Sequence, residues 1–229
     1  MQVKLADLTI RIENRFPFLE EKCRRYMAEA ETPDFTIAVN EAELMAEEAA
    51  NTNPGYAESL AVYRKIAEEI LLHDGFLMHG AVVETNGEGV AFLAKSGVGK
   101  TTHMALWKKY LGDNLQVVNG DKPLIRFFDG VPYAYGTPWA GKEGLERNTC
   151  VPLKAKCFLS RGTENETVPV KKEEAFMQLL PQLYTPKDGA KMGALLDLVG
   201  RLIEKVSFYS IRCTMDPEAA EIAYKAIFN

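Results

Sequence analysis

An α/β fold on a mixed sheet, preceded by a small α+β region, is predicted by three features of this sequence. From residue 76 onward the chain breaks into short apolar runs, at 76–83, 89–94, 115–119, 123–128, 131–135 and 155–159, separated by Gly, Asn, Asp and Pro. Runs of that length with those boundaries read as strands of one sheet. Helical patterns at 101–111, 173–183 and 191–206 fall between and after them, the alternation expected when helices cover a sheet. Third, the apolar run at 90–94 passes through a Gly-rich turn into the helix that starts near residue 101. A length of 229 residues suits one large domain with a modest appendage. The texture changes near residue 75, which divides a small α+β region, 1–75, from an α/β core, 76–229.

In chain order, Val3, Leu5, Leu8, Ile10 and Ile12 alternate with one break, which predicts a bulged strand. A short helix is expected from Phe18 to Met27, after Pro17, and a strand over 34–40 through Phe35, Ile37 and Val39. Glu41, Glu43, Glu47 and Glu48 form an acidic run, read as a solvated helix face rather than a metal site. Beyond the turn-rich 51–55, Leu60, Tyr63, Ile66, Ala67, Ile70 and Leu71 repeat at helical spacing and predict a helix over 58–72. In 191–206, Leu195, Leu196, Leu198, Val199, Leu202, Ile203 and Val206 predict a helix with a broad buried face. A last strand is expected at 207–213. Asp216-Pro217-Glu218 then offers a cap, a first-turn proline and an early carboxylate for a helix reaching Ile227.

Composition narrows the function. The net charge of −5 excludes a strongly cationic nucleic-acid binder, and no basic cluster with interleaved aromatics is visible. No run approaches eighteen apolar residues, so no membrane span is expected, and the N-terminus lacks a signal-peptide pattern, which points to the cytoplasm. Cys23, Cys150, Cys157 and Cys213 show no C-x-x-C spacing, and free buried thiols are the expectation.

The Gly-rich turn is Ser96-Gly97-Val98-Gly99-Lys100-Thr101-Thr102, a Walker A or P-loop pattern set between strand and helix. Successive backbone N–H groups must face phosphate oxygens there, which needs residues of little bulk, and the helix N-terminus adds positive charge. Lys100 would reach the β- and γ-phosphates, and Thr101 would offer its hydroxyl to magnesium. The first glycine of the pattern is replaced by Ala94. A second acid normally holds the metal from the end of a neighbouring strand, and Asp121, after Val117-Val118-Asn119-Gly120, is placed to do so. His79 ends or interrupts the strand before the P-loop strand.

Met78-His79-Gly80, the Ser96–Thr101 loop and Val118-Asn119-Gly120-Asp121, in that order over residues 76–135, resemble the C-terminal domain of HPr serine kinase/phosphorylase. They are similar also to the nucleotide domain of phosphoenolpyruvate carboxykinases. Residues 119–123, 136–142 and 151–155 further resemble a group of uncharacterised bacterial HPr-kinase-like proteins. The resemblance implies a mixed P-loop sheet of that type, binding of ATP and Mg2+, and transfer of the γ-phosphoryl to a hydroxyl on a protein serine or a small molecule. Lys100 matches the phosphate-binding lysine, Thr101 the magnesium-binding hydroxyl, Asp121 the metal-binding aspartate, and His79 a histidine near metal or phosphate. It also raises the expectation of a homo-oligomer. Two positions depart from the HPr kinase pattern: Gly120 stands where the first of two aspartates acts as general base, and Lys95 stands where an aspartate precedes the loop serine. A non-catalytic nucleotide-binding module is therefore the alternative. Carboxykinase activity is disfavoured, because 229 residues leave no room for those enzymes' large N-terminal domain.

A second Gly-rich loop, residues 136–144, holds Trp139 and Lys142. It could close over the phosphates, with Lys142 stabilising developing charge, or form a long turn with Trp139 plugging the core. Lys122, Arg126 and Arg147 are alternative phosphate contacts, while His103 and Trp107 are expected to face the sheet.

Overall fold

The computed structural model describes residues 1–95 and 97–229. The chain opens with β1 (Gln2–Leu5) and β2 (Leu8–Glu13), an antiparallel hairpin and not one bulged strand. The break in alternation is its two-residue turn: Ala6 and Asp7 both take positive φ, 52° and 59°, the backbone of a tight turn matched to strand twist. Next come α1 (Pro17–Lys22), β3 (Phe35–Ala38), parallel to β2, and the helices α2 (Glu41–Glu48) and α3 (Pro54–Glu69). Asn40 caps α2 in a reciprocal box with Glu43. The buried carboxylate of Glu58 accepts the N–H groups of Arg15 and Phe16 at 2.6 and 3.1 Å, and so fixes the entry to α1.

The larger sheet is built from β4 (Gly75–Leu77), β5 (Ala81–Thr85), β6 (Glu88–Leu93), β7 (Gln116–Asn119), β8 (Leu124–Phe128), β9 (Val131–Tyr135), β10 (Cys150–Arg161), β11 (Glu166–Pro169) and β12 (Ser207–Cys213). Its order is β4-β8-β9-β10-β6-β5-β7, with β12 added to β10 and β11 to β12. The run at 76–83 is thus two strands, parted at Met78-His79-Gly80. The run at 155–159 is the middle of a longer β10. The start of β10 pairs antiparallel with β9, while the strand pairs parallel with β6 from Leu153, with a register shift between Leu153 and Ala155, and parallel with β12 from Ala155. That shift turns successive side chains over. Leu153 and Phe158 face one core cluster, whereas Ala155, Cys157 and Leu159 face another.

The helices α4 (Lys100–Leu111) and α7 (Glu218–Phe228) cover the face that holds Trp107, and α5 (Lys172–Leu179) and α6 (Gly189–Lys205) cover the opposite face. A 3-10 turn at Leu180–Gln182 follows α5. Asp216 does not cap α7 as expected: Pro217 holds that position, and the Asp216 carboxylate accepts the Thr214 hydroxyl at 2.8 Å. The small sheet and α3 share one core with the large sheet, since Ile10, Ile66 and Ile70 cluster with Leu77, Leu124, Tyr135 and Trp139. All four cysteines are free, but only Cys23 and Cys157 are buried; Cys150, at the start of β10, is exposed. Among the described residues no helix is long and apolar enough to cross a membrane.

Candidate functional site

The strand β6 delivers the chain to the P-loop, and α4 leaves it with Gly99 at the cap position. Gly97 and Gly99 take φ of +80° and +126°, and nothing stands within 4 Å of the place a Cβ would take at Gly97. The glycine there answers to backbone conformation rather than to space. Ala94 has no positive φ, so its side chain brings no left-handed backbone strain to the loop. Among the described residues the turn is held by Val98 N–H to the Lys95 carbonyl at 3.2 Å and His103 N–H to the Gly99 carbonyl at 2.9 Å. Arg161, at the end of β10, adds an outside clamp by donating to the carbonyls of Gly97 at 2.6 Å and Val98 at 3.2 Å.

Asp121 is placed by its neighbour. The buried Asn119 side chain accepts the N–H groups of Asp121 and Lys122 at 2.9 and 2.7 Å and donates to the Thr137 carbonyl at 3.0 Å. The break between β4 and β5 brings His79 opposite, because Gly80 N–H bonds the Asp121 carbonyl at 2.9 Å and His79 N–H bonds the Gln182 carbonyl at 2.6 Å. His79 Nε2 then lies 3.1 Å from Asp121 Oδ1 and 3.2 Å from Lys100 Nζ. A ring nitrogen has one proton or one lone pair to offer, so it donates to the carboxylate or accepts from the ammonium, not both at once. Lys122 Nζ holds the other Asp121 oxygen at 2.8 Å. Burial raises the Asp121 pKa, but the bonds from His79 and Lys122 outweigh it and hold the carboxyl at about 2. Burial lowers the Lys100 pKa, with Asp121 opposing part of the effect. The Lys100 ammonium meanwhile turns back onto the Ala94 carbonyl at 3.1 Å.

A cavity of about 470 Å³ opens here, lined by His79, Lys100, Thr101, Thr102, Asp121 and Lys142, with the backbone of Gly97 and Gly99. The sequence-predicted residues thus converge, with two exceptions. Val98 lines a second cavity of about 380 Å³ on the other side of the loop, with Thr102, Leu106, Arg161 and Met215. Ser96 lies outside the described residues. Of the two roles considered for the loop 136–144, the long turn with Trp139 in the core is the one seen directly. Trp139 is buried, donating to Ser59 Oγ at 3.0 Å, while Gly141 sits so close to Asp121 that an added Cβ would lie 3.2 Å from the aspartate Cβ.

The model of the SynChlorMet cassette protein ScmC family matches residues 56–183, which is more than half of the chain. The chain belongs to that family. The matched span runs from α3 through the P-loop, Asp121 and the loop 136–144 to the segment that pairs with His79. No curated protein matches this ScmC-family chain. Among solved structures, the HPr(Ser) kinase/phosphatase from Coxiella burnetii is similar at 10% identity and a TM-score of 0.38, covering 66% of this chain and 88% of that one.

Several cations considered for phosphate are engaged elsewhere. Arg126 donates to the carbonyls of His73 and Ala6 at 2.9 and 2.8 Å, tying β8 to the first hairpin, and Arg147 bonds Gln116. His103 is buried, and desolvation lowers its pKa to about 4; it accepts from Trp107 Nε1 at 3.1 Å. Three residues escaped the sequence reading: Asn119, Arg161 and Glu143. Asn119 stands in the Asn-Gly-Asp turn and signals itself weakly as a turn former. Arg161 lies sixty-odd positions from the loop it clamps, and nothing local marks it. Glu143 follows Lys142 in the second Gly-rich loop and lines the same cavity, with Oε1 3.5 Å from the Thr101 hydroxyl.

Proposed function

We propose that this protein binds ATP with magnesium at the P-loop and transfers the γ-phosphoryl to a hydroxyl acceptor, a protein serine or a small molecule, on a sheet of the HPr kinase type. The observation that carries the reading is the meeting of Lys100 and Asp121 at His79, whose Nε2 lies 3.2 Å from the ammonium and 3.1 Å from the carboxylate, three separate segments joined at the mouth of a Gly-rich strand-to-helix loop. Lys100 would exchange its Ala94 and His79 contacts for phosphate oxygens. The backbone at Gly97, Val98, Gly99 and Thr102 would cradle the phosphates, and the nucleoside would extend into the cavity of Val98, Leu106 and Met215.

The donors suit a hard cation. Thr101 and Asp121 offer oxygens, and among the described residues no group of three or more His, Cys, Asp or Glu could hold an ion unaided. Mg2+, which keeps waters and takes one or two protein oxygens plus phosphate, fits such a set. When bound, it supplies charge neutralisation on the transferring phosphoryl group. His79 is read as the partner that orients Asp121 rather than as a ligand, and Lys142 as a cation for the developing negative charge.

Calorimetric titration of ATP with and without Mg2+ into the wild type and Lys100→Ala tests this. Magnesium-dependent binding in the wild type is expected, and the variant should lose about 3 kcal/mol or more of transition-state stabilisation, at least ~10²-fold in transfer rate. Unchanged transfer by Lys100→Ala would sink the reading. The blocked space at Gly120 favours a second reading, a nucleotide-binding module without catalysis, whose signature is MgATP binding with no phosphate release.

A further inference from the structure

A hydroxyl that attacks phosphorus must lose its proton, and the cavity holds two carboxylates with very different surroundings. Both Asp121 oxygens are already engaged, Oδ1 lying 3.1 Å from His79 Nε2 and Oδ2 accepting from Lys122 at 2.8 Å. Glu143 is exposed at the mouth of the same cavity, and among the described residues its carboxylate meets only the Thr101 hydroxyl, at 3.5 Å. It stands with Lys142 between Gly141 and Gly144, whose φ values of +80° and +58° bend the loop so that both side chains line the cavity.

The strand end that might have supplied a second aspartate is closed to one. A Cβ on Gly120 would lie 2.9 Å from the Ala140 carbonyl oxygen and 3.4 Å from that of Leu145. The obstructing carbonyl, that of Ala140, belongs to the loop that carries Glu143. One segment therefore shuts out a carboxylate at position 120 and brings in another three residues past Ala140.

We infer that Glu143 is the general base of the phosphoryl transfer, its carboxylate moved from the strand end to the loop 136–144. The inference rests on the phosphotransferase reading above. In the step, the acceptor oxygen forms a bond to the γ-phosphorus and its proton passes to the Glu143 carboxylate. The bond from the γ-phosphorus to the β,γ-bridging oxygen breaks, and that electron pair leaves on ADP. A neighbouring groove of about 520 Å³, lined by Thr101, Met104, Gly144, Leu145 and Arg147, adjoins the Glu143 loop and offers the acceptor an approach.

The test measures release of labelled phosphate from γ-labelled ATP with Mg2+, water serving as the probe acceptor, beside calorimetric binding of MgATP. Glu143→Gln should bind MgATP within about twofold of the wild type, yet lose about 10²-fold or more in release rate. Glu143→Ala should show the same loss and regain part of it on addition of formate, which restores a carboxylate; a positional role for the side chain would not respond. Release by Glu143→Gln within about threefold of the wild type overturns the assignment. So does a loss in Glu143→Ala that formate leaves unchanged, or a wild type that binds MgATP but releases no more phosphate than Lys100→Ala. A wild type that fails to bind MgATP overturns the nucleotide reading itself, which separates the two failures.

Discussion

Lys156 sets a physical problem at the scale of one residue. It is fully buried on β10, and among the described residues its ammonium nitrogen meets the Met78 sulfur at 3.0 Å and the Phe76 ring at 5.5 Å. A thioether and a ring face compensate little of the lost hydration, and burial pushes the pKa down to about 7. The unfolded chain, with an ordinary lysine, binds this proton up to about pH 10.4. Between the two values it therefore holds more protons than the folded chain, so stability attributable to this group rises with pH from about 7 to 10.4 and is flat below about 7. Lys156→Met keeps the length of the chain and removes the charge. It should stabilise the protein at pH 7 by on the order of 2 kcal/mol and abolish that part of the pH dependence. Urea unfolding at pH 6, 8 and 10 measures both, and equal pH slopes in the two proteins would refute the account.

Elements decide which carboxylate the site can use. The strand β7 ends in Asn119, and the chain then turns through Gly120 into Asp121 under the carbonyl of Ala140. Read as a sequence, Gly120 looks like a lost catalytic aspartate that a single substitution could restore. The loop packed over it says otherwise, because Trp139 is anchored on Ser59 and Gly141 lies against Asp121, leaving the loop little room to retreat. Gly120→Asp should destabilise the protein by about 1–3 kcal/mol as the loop is displaced, and should not raise phosphate release. Thermal unfolding together with the release assay examines this; a variant as stable as the wild type and faster would show the position to be open after all.

For the whole molecule, the region before residue 75 is part of the site's foundation. Its core is continuous with the large sheet through Leu77, Leu124, Tyr135 and Trp139. Polar ties run the same way, from Arg126 to the Ala6 carbonyl at 2.8 Å, from Tyr135 to Asp7 at 2.9 Å and from Tyr184 to Glu68 at 3.0 Å. The boundary that composition suggests near 75 is thus crossed by apolar contacts, and Ser59 on α3 anchors the very loop that holds Lys142 and Glu143. A chain of residues 75–229 should expose this apolar face and lose cooperative unfolding, seen as a flattened calorimetric transition and increased binding of a hydrophobic dye. A sharp transition near that of the whole chain would instead make the first 74 residues an independent appendage.

What can be read from the residues alone here is what has a local cause. Helical spacing identifies α3 and α6, short apolar runs locate β6 to β9, and the P-loop is legible because steric freedom at Gly97 and Gly99 and the charge of Lys100 are demanded by adjacent positions. Breaks in pattern carry information too, although their meaning is ambiguous: the one at Ala6-Asp7 is a turn between two strands, and the one at His79 parts β4 from β5 and seats the imidazole on Asp121. The extent of β10 and the existence of β11 are obscured by Pro152, Lys154 and an exposed ETVP edge, none of which shows the alternation that marks a half-buried strand. Only the tertiary structure decides which of Arg126, Arg147 and Arg161 attends the Gly-rich loop at 97–99, that Lys156 is enclosed, and that the loop 136–144 closes position 120 while presenting Glu143. These outcomes depend on segments distant in sequence meeting across a curled sheet, where the register shift in β10 sets which side chains face which layer, and no window of neighbouring residues holds that information.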